Sequence, residues 1–308
     1  MAASVLIILT MKSSRTEYID ANGLKLCVRH WGNEDAPKLF MLHGWMDIAA
    51  SFQFVVDAFK QDWHVIAPDV RGFGHSGWAE GDYWLSDYLA DLEAVLDYYS
   101  PDEPVKLVGH SLGGKITSVY AGIRPHRIEK LVSMEGYGIA ENLPEMVPGR
   151  LERWLDAKKK PKRLRPYRNR QAVVNKLMAN NPRLTLERAE FLADYWAEKT
   201  DTGEWKFLAD PKHKLVPSLT RLDEILACWS RITAPVMFIE GEFSWMGIRK
   251  RNPEGAQEEI IRRASRIPQL EYVVVTDSGH MMQHDQPEQV AAYIERFMAC
   301  GQTASGEG

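Results

Sequence analysis

The stretch Gly109-His110-Ser111-Leu112-Gly113, with Gly114 behind it, decides how this chain is read. It follows the apolar run Val105-Lys106-Leu107-Val108 and precedes a helix-compatible segment from Lys115 to Ile123. A serine between two glycines, where a strand gives way to a helix, is the pattern of a nucleophile elbow. So sharp a turn leaves no room for bulk two residues before and two after the serine, which Gly109 and Gly113 satisfy. Such an elbow holds the Ser111 hydroxyl above the end of a sheet. The backbone N–H of Leu112 faces the same space.

Outward from the elbow, short apolar runs alternate with amphipathic ones. Strands are expected over 24–31, 38–42, 63–67, 105–108, 130–134, 236–240 and 271–275. Most are apolar almost throughout, as strands covered on both faces of a parallel sheet must be. Between them, Leu85, Tyr88, Leu89, Leu92, Val95, Leu96 and Tyr99 recur at helical spacing, and 52–59, 258–267 and 287–298 behave similarly. The alternation predicts an α/β fold with a doubly wound, mostly parallel sheet.

It stops between about 138 and 229. That interval holds helix-like segments at 151–158, 171–179, 185–200 and 218–230 and no convincing strand. The expected organisation is a core of 12–137 and 230–300, a helical cap of 138–229 at the C-terminal edge of the sheet, and disordered tails at 1–11 and 301–308. Ligands of open α/β sheets bind at that edge, so the cap should roof the site.

The composition is that of an ordinary globular protein: 308 residues, 45% hydrophobic and 26% charged, with a net charge of −4. This balance does not favour nucleic acid or an anionic membrane as partner. Cys27, Cys228 and Cys300 match no metal or disulfide spacing, and a cytoplasmic location is expected. The apolar run Val5-Leu6-Ile7-Ile8-Leu9 is too short to span a bilayer.

A serine hydroxyl needs an adjacent base, itself oriented by a third group. The best candidate is His280, in Thr276-Asp277-Ser278-Gly279-His280 directly after the last strand. His284 lies four residues on, but without a third ligand the pair does not make a metal site. A second oxyanion donor is expected from His43-Gly44-Trp45, where the Trp45 N–H would face that of Leu112. His43 itself is read as a brace for that loop.

His43-Gly44-Trp45, Asp69-Val70-Arg71-Gly72-Phe73-Gly74-His75-Ser76, the elbow and Gly279-His280 occur in the order and spacing of the α/β-hydrolase superfamily. From about residue 16 to 298 the chain resembles its capped branch of esterases, C–C bond hydrolases, epoxide hydrolases and haloalkane dehalogenases. The resemblance implies acyl-enzyme chemistry on a small-molecule substrate, a Ser–His–acid triad and no cofactor. The dehalogenases and epoxide hydrolases use an aspartate nucleophile, which Ser111 replaces. Many relatives carry the acid as Gly-x-x-Asp before the last strand, whereas Gly241-Glu242-Phe243-Ser244 has serine there. In other relatives the acid follows the strand after the elbow helix, and here Glu135 follows Leu131-Val132-Ser133-Met134. Glu135 is therefore the expected acid, with Glu242 or Glu240 as alternatives. The implied activity is that of a carboxylic-ester hydrolase. Cleavage of C–C, lactone or thioester bonds, or a receptor role with vestigial hydrolysis, remain open alternatives.

Two features read as decoys. Gly72-Phe73-Gly74-His75-Ser76-Gly77 matches a dinucleotide fingerprint, yet loop-like residues follow it where a helix would have to hold the pyrophosphate. The basic run from Lys158 to Arg170 is broken by prolines and reads as a solvated loop. Among the cap aromatics, Trp154, Phe191, Tyr195, Trp196 and Trp205, some should line the pocket.

Overall fold

The computed structural model describes residues 11–137, 142–161, 163–214, 221–244 and 254–299. Eight strands form one sheet: β1 (Ser14–Ala21), β2 (Leu24–Trp31), β3 (Lys38–Leu42), β4 (His64–Pro68), β5 (Val105–His110), β6 (Ile128–Met134), β9 (Val236–Gly241) and β10 (Leu270–Val275). Their order is β1-β2-β4-β3-β5-β6-β9-β10, parallel from β4 to β10 and antiparallel from β1 to β4. The α/β, mostly parallel sheet expected from the alternation is therefore the observed fold.

Why the strands read as unbroken apolar runs is visible in β3 and β9. Phe40 and Leu42, like Val236 and Phe238, enter one core cluster, while Leu39 and Met41, like Met237 and Ile239, enter another. Successive side chains point to opposite faces, and both faces are covered. On one face lie α2 (Leu85–Tyr99), α3 (Leu112–Ile123) and α7 (Leu222–Trp229); on the other lie α1 (Gln53–Ala58) and α10 (Pro287–Ala299). Helix α8 (Ala256–Ala264) joins the first face, and a short α9 (Met282–Asp285) precedes α10.

Strand β1 was not anticipated. It is an edge strand with polar residues facing solvent, so it lacks the apolar run that marked its neighbours. The signal lay in its turn: Asn22 (φ 48°) and Gly23 (φ 79°) are both left-handed, the geometry of a two-residue hairpin for which Asn-Gly is the strongest short-range sign.

Between β6 and β9 lie α4 (Met146–Lys159), α5 (Arg170–Asn180) and α6 (Leu186–Trp196). A small antiparallel pair, β7 (Ala197–Lys199) and β8 (Trp205–Phe207), follows, where no strand was expected. Each is three residues long, too short for an alternation to show. The expected helix at 185–200 accordingly ends at Trp196. Val173, Val174, Leu177, Leu184 and Leu192 form a separate small core between α5 and α6. The basic run is not all loop, since Lys158 and Lys159 end α4 and Arg170 opens α5. Lys162, Gly138, Cys300 and the expected tails, Met11 excepted, lie outside the described residues.

Candidate active site

Ser111 sits between β5 and α3 with φ 52° and ψ −110°. A left-handed non-glycine residue costs roughly 1–3 kcal/mol and persists only where its surroundings impose it. Here they do. The Ser111 N–H donates to the Met134 carbonyl at 2.8 Å, tying the elbow to the end of β6. A Cβ on Gly109 would lie 2.5 Å from the Gly113 carbonyl oxygen, and one on Gly113 would lie 2.2 Å from that of Leu42. Both positions therefore exclude any side chain.

His280 reaches the serine from the loop after β10, with Nε2 3.1 Å from Ser111 Oγ. Behind it, Glu135 Oε2 lies 3.6 Å from His280 Nδ1, within ion-pair distance though longer than a good hydrogen bond. Glu135 follows β6 directly, is 8% exposed and is itself left-handed at φ 57°. Its carboxylate is held at both oxygens: Oε1 accepts from the Gly241 N–H at 2.9 Å and Oε2 from the Ser244 hydroxyl at 2.9 Å. The two other acids point elsewhere. Glu240 accepts from the Tyr272 hydroxyl, and Glu242 accepts from the Asp277 N–H at 2.8 Å.

Ser244 thus stands at the position of the common aspartate and donates to the carboxylate expected to take its place. Sequence reasoning saw only that a carboxylate was missing there. Two further residues escaped it. His110, inside the elbow motif, donates from Nε2 to the His280 carbonyl at 2.8 Å, and Gln283 donates to its Nδ1 at 3.3 Å. Burial, and then the neighbouring His280, hold the His110 imidazole well below the usual histidine range, so it stays neutral. The sole clue was a histidine beside the serine. His284 is turned away: its Nε2 lies 2.5 Å from Ser51 Oγ, and burial lowers its proton affinity.

The strand-end loop 43–45 crosses close above the serine, since a Cβ on Gly44 would lie 3.2 Å from Ser111 Cβ. His43 braces that loop. Its Nε2 accepts from the Val70 N–H at 2.8 Å and its Nδ1 donates to the Gly44 carbonyl at 2.8 Å. Leu112 opens α3, and the first N–H groups of a helix have no partner within it. Trp45 leaves its side chain half exposed. The loop carrying the glycine fingerprint is a clasp: Asp69 accepts from the Ala49 N–H at 2.8 Å and from that of His75 at 3.0 Å. The next helix begins only at Leu85.

The segment after β8 docks on this clasp. Gly74 N–H donates to the Leu208 carbonyl at 2.9 Å and Asp210 N–H to that of Gly72 at 2.8 Å. The His213 ring stacks between Phe73 (3.9 Å) and Tyr83 (3.7 Å), and burial lowers its pKa to about 3. Of the aromatics flagged earlier, Trp196 donates to Asp47 at 3.3 Å, and Phe191 packs on Phe54 and Tyr195. Trp205 packs on the α5–α6 core, and Trp154 donates to Asp82 at 3.2 Å. A cavity of about 740 Å³ beside Phe54 and Phe191 shares no lining residue with Ser111, His280 or Glu135. Among the described residues no cluster of His, Cys, Asp and Glu could hold a metal ion, and no helix is long and apolar enough to cross a membrane.

A family model described as alpha/beta hydrolase fold matches residues 37–287. The chain is 29% identical over 273 residues to a serine hydrolase-like protein of Dictyostelium discoideum, covering 84% of this chain and 74% of that one. It is 26% identical over 290 residues to a 3-hydroxybutyrate-oligomer hydrolase of Cupriavidus necator, covering 89% and 92%. Among solved structures, the thioesterase domain from the curacin biosynthetic pathway superimposes with a TM-score of 0.81 at 21% identity, covering 92% of this chain and 99% of that one. At that identity the likeness concerns the fold alone.

Proposed function

This chain belongs to the α/β hydrolase fold family, and on that premise we propose that it is a serine hydrolase cleaving carboxylic esters of small to medium, largely apolar substrates. The observation that carries the reading is the line Ser111 Oγ, His280 and Glu135, with separations of 3.1 Å and 3.6 Å. In this mechanism His280 Nε2 takes the hydroxyl proton as Ser111 attacks the ester carbonyl. Glu135 steadies the resulting imidazolium, while the N–H groups of Trp45 and Leu112 receive the negative oxygen. The leaving alcohol collects the proton from His280. Water, activated by the same imidazole, then releases the acid from the acylated serine. No step requires a cofactor. The name of the Cupriavidus relative, an oligomer hydrolase for 3-hydroxybutyrate, supports an ester as the bond attacked.

In the same reading, residues 138–229 act as a cap. The connection between α5 and α6 reaches segments near the site: Asn181 donates to Asp285, at the end of α9, at 2.7 Å, and the Arg183 guanidinium lies 4.8 Å from the centre of the Phe243 ring. A fluorophosphonate probe tests the assignment. Wild-type protein should become labelled and Ser111→Ala should not, and p-nitrophenyl esters of graded chain length should reveal a preferred acyl group. Labelling that persists in Ser111→Ala would remove this serine from the chemistry. Full labelling with no turnover of any ester would favour a receptor with vestigial hydrolysis.

A further inference from the structure

The basic run that the catalytic reading leaves unused borders a cavity. Trp78, Trp154, Lys158, Arg163, Lys212 and Lys214 line a space of about 610 Å³ between α4, the core loop at 78–82 and the segment after β8, within the range of small-molecule sites. Two carboxylates also face it, and both are occupied. Asp82 holds Lys158 at 3.0 Å and accepts from Trp154 Nε1. Asp210, itself buried, holds Lys212 at 3.3 Å and accepts from the Tyr83 hydroxyl at 2.9 Å. Arg163 and Lys214 are left over, since among the described residues no carboxylate pairs with either. The walls are thus tryptophan on one hand and surplus positive charge on the other, and Trp78 remains 40% exposed.

A purely apolar ligand would leave both cations unanswered, and a small inorganic anion would make no use of the two indoles, each of which has a lysine ammonium near its ring centre, Lys206 at 5.0 Å from Trp78 and Lys158 at 5.4 Å from Trp154. We propose that this cavity is a binding site for an amphipathic organic anion, its apolar body against Trp78 and Trp154 and its acid group at Arg163 and Lys214. None of Ser111, Glu135 or His280 lines it, so the site stands apart from the hydrolase assignment.

The test compares two fluorescent probes with the same ring system: 8-anilinonaphthalene-1-sulfonate, which is anionic, and N-phenyl-1-naphthylamine, which is neutral. Wild-type protein should bind the sulfonate saturably. The double variant Arg163→Gln/Lys214→Gln should weaken that binding by about tenfold or more, as the loss of two charge-assisted contacts predicts, and change the neutral probe's affinity less than about threefold. Trp78→Ala should weaken both probes. The neutral probe, together with an unchanged circular dichroism spectrum, guards against misfolding. No saturable sulfonate binding in the wild type, undiminished binding in the double variant, or an equal loss of both probes would overturn the proposal.

Discussion

The parallel sheet and the region between β6 and β9 are stabilised in different ways. In the sheet, β3, β5, β6 and β9 are wholly or almost wholly buried, and each contributes side chains to the cores on both faces. In the inserted region, α4 has no buried residue, and α5 and α6 share a small core of their own. That region meets the rest through polar contacts, Trp196 to Asp47, Asn181 to Asp285 and Arg188 to the His284 carbonyl, and through apolar ones, with Phe207 and Ala209 in the sheet's own core, Phe191 on Phe54 and His213 stacked on Phe73 and Tyr83. The difference teaches where rigidity is spent. The proposed nucleophile, base and acid sit on strand ends, whose positions two cores fix. The inserted region relies on a smaller core of its own and on a narrower set of contacts with the sheet.

The largest effect should come from the sheet side. Ser111→Ala should lower kcat on the best ester by roughly 10⁴–10⁶-fold with the melting temperature little changed, since alanine keeps the Cβ and with it the left-handed strain. Next, Glu135→Gln should reduce kcat by roughly 10³–10⁴-fold, because a neutral amide cannot steady an imidazolium. If Glu242→Gln does this and Glu135→Gln does not, the acid has been assigned to the wrong strand. Ser244→Ala should cost far less, about tenfold in kcat, since the Gly241 N–H still holds the carboxylate.

Two core substitutions probe the comparison directly. Leu131→Ala in β6 and Leu192→Ala in α6 both empty fully buried sites and should each cost about 2–5 kcal/mol locally. Leu131→Ala should lower the global unfolding midpoint. Leu192→Ala should mainly raise hydrogen exchange in α5 and α6, leaving the sheet protected. Equal exchange across both regions in Leu192→Ala would mean that they unfold as one.

The smallest effect is one of pH. The folded pKa of His213, about 3, lies below its ordinary value of 6.5 because the stacked ring is buried, so the unfolded chain binds the extra proton between these limits. Its contribution to stability is full above about pH 6.5 and is lost as the pH falls toward 3. Proteolysis near the Leu208–His213 seam should therefore quicken between pH 7 and 5, and His213→Phe should flatten that dependence. A seam equally resistant at both pH values would deny His213 this role.

How far the sequence could be read follows the same division. The strands of the sheet were legible because burial on both faces writes itself as an apolar run, as in Lys38–Leu42 and Val236–Gly241. Strand β1 was not, because an edge strand carries polar residues, and only Asn22-Gly23 marked its turn. The β7–β8 pair was too short to leave a pattern. The elbow and His280 were legible because strained turns restrict residue type locally. The parts of Ser244, His110 and Gln283 were not, since their partners lie 109, 170 and 173 residues away in the chain.

By itself, then, the sequence determined the alternation of elements, the serine at a turn only glycines permit, and a short set of acids for the third position. Only the folded chain put one of those acids, Glu135, beside His280, because nearness is a matter of distance and direction. It set the Glu135 carboxylate behind the imidazole with Ser244 and Gly241 gripping its two oxygens, while Glu240 and Glu242 were bound elsewhere. Charge at a position can be read from a chain, but what that charge faces depends on which strands lie side by side.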